Sequence, residues 1–347
     1  MTRIRTLLVV LAIALPVPAV AAGCGGSSSN NEDPQKVLDE TFNNPTSITS
    51  GNLGISLDGS VQGQQSGSFN ATINGPFQGE ENNPTAFPQF DLTANVSGSS
   101  GGPSLSFSGS LIATKDNAYV EYQNQAYEVG SDVFRQFTQS YAQAARQNQA
   151  QKSNQGVFQR LGIDPSTWLT NVSNEGTTDV EGTDTIHVHG DADVAKIFSD
   201  LQRAAQRTGG ASAQQLTPQQ LDQLKSAVKQ ASIDVYSGTD DKLLRKLALS
   251  LQIAPPSATA SSVSSVDVNF SITFSDVNQP QTITGPQNAK PIAELLNQLG
   301  IPGLQGLGGG GLGLPGTGGG GAGSSAYQNC VNHATSASDF QKCAQKL

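Results

Sequence analysis

The chain has 347 residues and a formal net charge of −9, and only 14% of its residues are charged, against about 25% in an ordinary globular protein. An acidic chain whose 19 Lys and Arg form no basic run repels phosphate, which argues against nucleic acid as a partner. With 36% hydrophobic residues and 38 glycines there is enough apolar material for a core, which argues against wholesale disorder. The polarity comes from uncharged Ser, Thr, Asn, Gln and Gly, a composition suited to strands and loops outside the cytosol.

Arg3 and Arg5 precede an apolar run from Thr6 to Val20 that Pro16 and Pro18 interrupt. The uninterrupted part is too short to span a hydrocarbon core of about 30 Å, so residues 1–23 read as a secretory signal peptide. Ala21-Ala22-Gly23-Cys24 then places small residues before a cysteine and resembles a bacterial lipobox, with Ala21 where Leu is more usual. That resemblance implies acylation of Cys24 and cleavage in front of it. The alternative is an ordinary signal peptide that happens to precede a cysteine. Residues 24–33 are small and polar, as suits a flexible tether. Two or three acyl chains on one cysteine give stable anchoring. The expected location is therefore the extracytoplasmic side of the cell membrane, with the membrane as partner through acylated Cys24.

A domain is expected over 34–299. Pro34 and Asp33 start a short helix over 34–43 with Val37, Leu38 and Phe42 as its stripe. Period-two runs follow: Leu53 to Val61, Phe69 to Ile73, Phe90 to Val96 and Leu105 to Ala113. Turns at Lys115–Asn117 and Asn124–Gln125 precede two short strands. Helical spacing returns from Ser131 to Ala145, and Asp164 to Leu169 reads as a helical turn. Val172 to Gly190 is a strand pair with a tight turn at Glu181–Gly182. A helix pair is expected next, one over 191–207 and one carrying Leu221, Leu224 and Val228. Ile233 to Phe274 holds three more strands, and Pro291 to Leu299 a last helix. About ten strands in hairpin order, with five or six helices, make the fold α+β with an antiparallel sheet.

Fourteen of the 24 residues in 300–323 are Gly, which reads as a linker. Residues 324–347 read as a helical hairpin. Cys330 and Cys343 lie thirteen residues apart in it, and an exported chain permits a disulfide between them. A thiolate metal pair is the poorer alternative, since there is no CxxC spacing and one nearby histidine, His333.

Few residues point to chemistry. The glycine run lacks the Gly-Lys-Ser/Thr ending of a phosphate loop. No Gly-x-Ser-x-Gly or Cys–His arrangement is present, so no catalytic residue and no cofactor is assigned, and the chain is not expected to be an enzyme. His187 and His189 share one strand face and are weak metal candidates, with Asp184 or Asp191 as a third ligand. The plainer expectation puts Ile186 and Val188 in the core and both histidines on the polar face, with no metal. Sheet and helices either meet as a solid core or stand apart around an apolar cavity.

The order of parts, with Glu175-Gly-Thr-Thr-Asp-Val-Glu-Gly-Thr-Asp-Thr-Ile-His-Val-His-Gly-Asp191 and Asp240-Asp-Lys-Leu-Leu-Arg-Lys-Leu247, resembles the LppX/LprG group of actinobacterial lipoproteins over about residues 34–285. The resemblance implies a curved antiparallel half-barrel wrapped over helices, similar to LolA-type carriers. It also implies an apolar cavity that binds a lipid or glycolipid and helps move it across the cell envelope. The Gly-rich linker and the cysteine hairpin are additions to that pattern, and no cavity residue carries over individually. The second reading is an envelope lipoprotein with a solid core that binds a protein or polysaccharide partner through the hairpin.

Overall fold

The computed structural model describes residues 32–299 except 65, 81–82, 84, 101–103, 152–162, 208–218, 220–224 and 255–262. The signal peptide, Cys24, most of the tether, Leu221 and Leu224, the Gly-rich linker and both hairpin cysteines lie outside the described residues.

The described residues begin with α1 (Pro34–Phe42), β1 (Ser50–Gly63), β2 (Gly67–Gln78), β3 (Gln89–Ser100), β4 (Leu105–Ala113), β5 (Ala118–Tyr122), β6 (Gln125–Glu128) and α2 (Ser131–Gln151). A 3-10 turn (Pro165–Trp168), β7 (Leu169–Val180), β8 (Thr183–Ala192) and α3 (Val194–Arg207) follow. The chain then forms β9 (Val228–Gly238), β10 (Leu244–Ile253), β11 (Val263–Ser275), β12 (Lys290–Pro291) and α4 (Ile292–Gln298). The strands form one twelve-stranded sheet in the order β12-β6-β5-β4-β3-β2-β1-β11-β10-β9-β8-β7. All neighbours are antiparallel except β12 beside β6. The α+β fold, a large antiparallel sheet wrapped over helices, is as the sequence predicts. Two details differ. β12 adds a short strand, and Val228 opens β9 rather than sitting on a helix, because its place opposite Ile253 completes the β9–β10 ladder.

Alternation along each strand gives the sheet two unlike faces. Leu53, Ile55 and Leu57 of β1 stand opposite Phe274, Ile272 and Phe270 of β11. Leu247 and Leu249 of β10 continue these rows to Val235 and Ile233 of β9. On the other side the rows run through Ile73 and Ala71 to Ala94 and Val96, and then to Gly109 and Phe107. No ionisable side chain interrupts this apolar face between β1 and β4. The opposite face carries Ser, Thr, Asn and Asp, such as Ser56, Asp58, Asn70, Asn95 and Ser108.

Helices cover one half of the apolar face. Asp33 caps α1 by accepting from the Lys36 amide at 2.9 Å, and Val37, Leu38 and Phe42 are buried against β7–β9. The Thr41 hydroxyl meets the buried Ser237 hydroxyl of β9 at 2.7 Å. Ile197 and Ala204 of α3 join the same core, with Trp168, Ile186, Val188, Ile233 and Val235. The α3 start is fixed by Asp193, whose carboxylate accepts from the Lys196 amide at 3.0 Å.

A strap over 276–289 leaves the end of β11 and brings β12 to β6. It is tied to β2 where Gln78 accepts from the Gln281 amide at 2.8 Å, and Gly285 packs on the Tyr119 ring of β5. Gly75 of β2 has φ +150°, and a Cβ there would lie 1.8 Å from the Asp91 carbonyl oxygen. Replacing Gly75 with alanine is expected to cost about 2 kcal/mol, read as a fall in urea midpoint, because the clash is with backbone.

Candidate functional site

Beyond β1 the helical cover thins. α2 is joined to β3 through Phe87, whose ring meets Phe90, Phe134, Phe137 and Tyr141 edge-to-face, with centroids 5.1 to 6.0 Å away. Toward the β1–β2 and β3–β4 turns no described helix lies over the apolar face. Phe69, Ile73, Val96, Leu105, Phe107 and Leu111 are all exposed there, Leu105 to 67% and Phe69 to 39%. They share one face of β2–β4: Val96 stands opposite Phe107, and Gly98 lies between Phe69 and Leu105. Single exposed apolar residues are ordinary, but a contiguous set on one sheet face marks a contact surface.

Two rings in this patch lie down on the sheet. Phe69 covers Gly59 of β1, where an added Cβ would come 2.0 Å from its Cε1. Phe107 stacks on Tyr122 with centroids 5.8 Å apart and its Cζ approaches Gly109. On the opposite, polar face of the same strands a groove of about 590 Å³ is bordered by Asp58, Ser60, Ser68, Asn70, Ser97 and Asp267. Asp58 accepts from Asn70 at 2.6 Å and from Ser56 at 2.8 Å, and these bonds hold its carboxyl below the usual range. Period-two spacing showed which residues share the apolar face. Which part of the face helices leave bare depends on where α2 and α3 dock.

His187 and His189 stand on the polar face, as the plainer expectation had them, with Ile186 and Val188 fully buried beneath. Both rings turn to Asp234 of β9, with His187 Nε2 and His189 Nδ1 each 2.8 Å from its Oδ1. The His187 ring stacks on Tyr236 at 4.5 Å, and Lys246 Nζ lies 5.5 Å from the Tyr236 centroid. Burial first, and then the Asp234 charge, raise the Tyr236 phenol above its ordinary range. Asp184 and Asp191 do not join the pair: Asp191 accepts from Asn171 at 2.8 Å, and Asp184 lies opposite Asp179. Sequence reasoning missed Asp234, although the polar alternation Ser232–Asp234–Tyr236 on the neighbouring strand was its signal. Among the described residues no group of three or more His, Cys, Asp or Glu is arranged to hold a metal ion.

The fold also buries a carboxylate. Asp200 of α3 is fully buried, accepting from Trp168 Nε1 at 2.9 Å and from Lys196 at 3.3 Å, with Arg203 Nη1 at 3.0 Å. Among the described residues no helix is long and apolar enough to cross a membrane.

No protein-family model matches the chain, and no curated protein matches it. Among solved structures it is similar to LprF from Mycobacterium bovis, with 14% identity and a TM-score of 0.34, covering 73% of this chain and 96% of that one. It is similar to the Mycobacterium tuberculosis lipoprotein LppX, with 14% identity and a TM-score of 0.33, covering 72% and 98%. It is also similar to a LolA superfamily protein from Nitrosomonas europaea, with 6% identity and a TM-score of 0.17, covering 71% and 95%.

Proposed function

We propose that this chain is a membrane-anchored extracytoplasmic lipoprotein that binds a lipid or glycolipid and helps move it across the cell envelope. Cys24 would carry the anchor and residues 25–33 the tether. The cargo's acyl chains would lie on the uncovered apolar face of β1–β4. One observation carries the reading: six large apolar side chains are exposed on one sheet face with no ionisable group between β1 and β4. A charged or strongly polar ligand would lose its hydration there without a partner. A methylene chain loses nothing, and each buried CH₂ contributes about 0.8 kcal/mol.

Native mass spectrometry of the exported chain carrying Cys24→Ala, purified from its own host, tests this. The expected result is a mass excess that organic extraction removes, with acyl chains in the extract. A clean apo mass, together with no uptake of a fluorescent fatty acid, would overturn the reading in favour of a protein-binding module.

A further inference from the structure

We propose that the strap over 276–289 is an acid-tightened latch across the polar face, with Asp91 of β3 as its pH-sensitive group. The root of the strap is fixed. Asn278 accepts from the Thr49 amide at 2.8 Å and donates its own amide N–H to the Ser50 carbonyl at 2.9 Å, and Asp276 accepts from Asn52 at 2.7 Å. From there the strap crosses the sheet to β6. Gln78 of β2 accepts from the Gln281 amide, and Gly285 rests on the Tyr119 ring of β5, where an added Cβ would meet Cε2, Cζ and the hydroxyl oxygen at 2.8, 2.9 and 2.9 Å. β3 and β4 lie between these two ties. The span from β2 to β5 is about 14 Å, and the chain from Gln281 to Gly285 reaches about 13 Å when extended. Residues 282–284 therefore run nearly straight over β3 and β4. Gln281, Ile283 and Gly285 are half-buried while Thr282 and Thr284 are exposed, so the first three face the sheet.

Asp91 and Ile112 lie under that crossing, paired across β3 and β4 in one row with Tyr119 and Glu128. Ile112 is only 4% exposed although it stands on the face that elsewhere meets water, and Asp91 is half-buried beside it. No cation faces the carboxylate. The strap carries no charge between Asp276 and Lys290, β2 and β4 have no ionisable side chain, and β5 brings the Tyr119 phenol. Glu128 of β6 accepts from Asn117 at 3.1 Å, while Glu80, Lys115 and Asp116 are exposed in the loops at this end. Burial alone pushes the Asp91 carboxyl above its ordinary range. The closed strap thus favours the protonated form. That contribution is complete below the unfolded value of about pH 4 and is lost as pH rises through the higher folded value. Ionisation loosens the strap, and with it β12, which covers β6 at the sheet edge. The latch stands whether or not the apolar face binds lipid.

Hydrogen–deuterium exchange on the full chain carrying Cys24→Ala tests this, with each rate divided by the intrinsic rate at that pH. In the parent, protection of residues 277–291 should fall about tenfold between about pH 4 and about pH 7, while β9 and β10 keep theirs. Asp91→Asn, which stays neutral, should hold the acid level of protection throughout. Gly285→Val, which lifts the strap off Tyr119, should lower protection at every pH. Carbon NMR titration of the Asp91 carboxyl adds a measurement that needs no change at Asp91: in folded Gly285→Val the carboxyl should titrate closer to its ordinary range than in the parent. Circular dichroism and melting temperature confirm that each variant is folded. Equal pH slopes in the parent and folded Asp91→Asn overturn the latch. So does an Asp91 carboxyl that titrates alike in the parent and folded Gly285→Val.

Discussion

Asp200→Ala is expected to lower folding stability by about 3 kcal/mol, measured by urea unfolding. The carboxylate is fully buried and ties the turn, through Trp168, to its own helix α3, where it also meets Lys196 and Arg203. Alanine leaves the indole N–H of Trp168 buried without an acceptor and opens a void beside it. The two cations are partly exposed and recover water, which keeps the loss from being larger. The effect also has a pH signature. Burial pushes the Asp200 carboxyl up, but hydrogen bonds from Trp168 and Lys196, the Lys196 charge and a backbone bond at Asp164 bring it below its ordinary value. A carboxyl depressed in the folded state contributes stability that is fully present above its unfolded value near pH 4 and is lost as pH falls from there through its lower folded-state value. The parent should therefore lose stability on acidification more steeply than Asp200→Asn. Parallel acid limbs would show that the carboxylate's charge adds nothing.

The double change Leu105→Ser and Phe107→Ser should reduce fatty-acid affinity about a hundredfold while leaving the melting temperature nearly unchanged. Both side chains are exposed without ligand, Leu105 to 67% and Phe107 to 47%, so the folded protein gives up little by losing them. A bound acyl chain would bury both. Two side chains at about 1.5 kcal/mol each give the expected factor. A fluorescence titration and a thermal melt read the two quantities separately. Equal affinity in variant and parent would place the cargo elsewhere on the molecule.

Local pattern made most of the strands legible. Val266, Val268, Phe270, Ile272 and Phe274 alternate without a break, and β11 spans Val263–Ser275. The Glu181–Gly182 turn was readable because both residues adopt positive φ, as a tight hairpin requires. What depends on distant pairing was not legible. Trp168 and Asp200 each lay on a correctly read element, yet nothing local joins them. The neighbour of β1 on its second side, and the strap that ends in β12, were invisible for the same reason. The apolar face could be read from spacing, but not its bare part, because cover is decided by where helices dock.

The place of β1 beside β11 has a consequence for how the chain matures. Asn52 bonds Asp276 across 224 residues. Until β11 has been made, the meander from β1 to β6 ends in an unpaired edge, and its apolar side lacks the strands that continue it. Contacts so far apart in sequence make folding slow, on the scale of milliseconds to seconds for sheet proteins. A chain made from its N-terminus therefore passes a long interval as a sticky half-sheet. A polypeptide truncated before Val263 would remain in that condition: a substrate for proteases and chaperones rather than a smaller version of the fold.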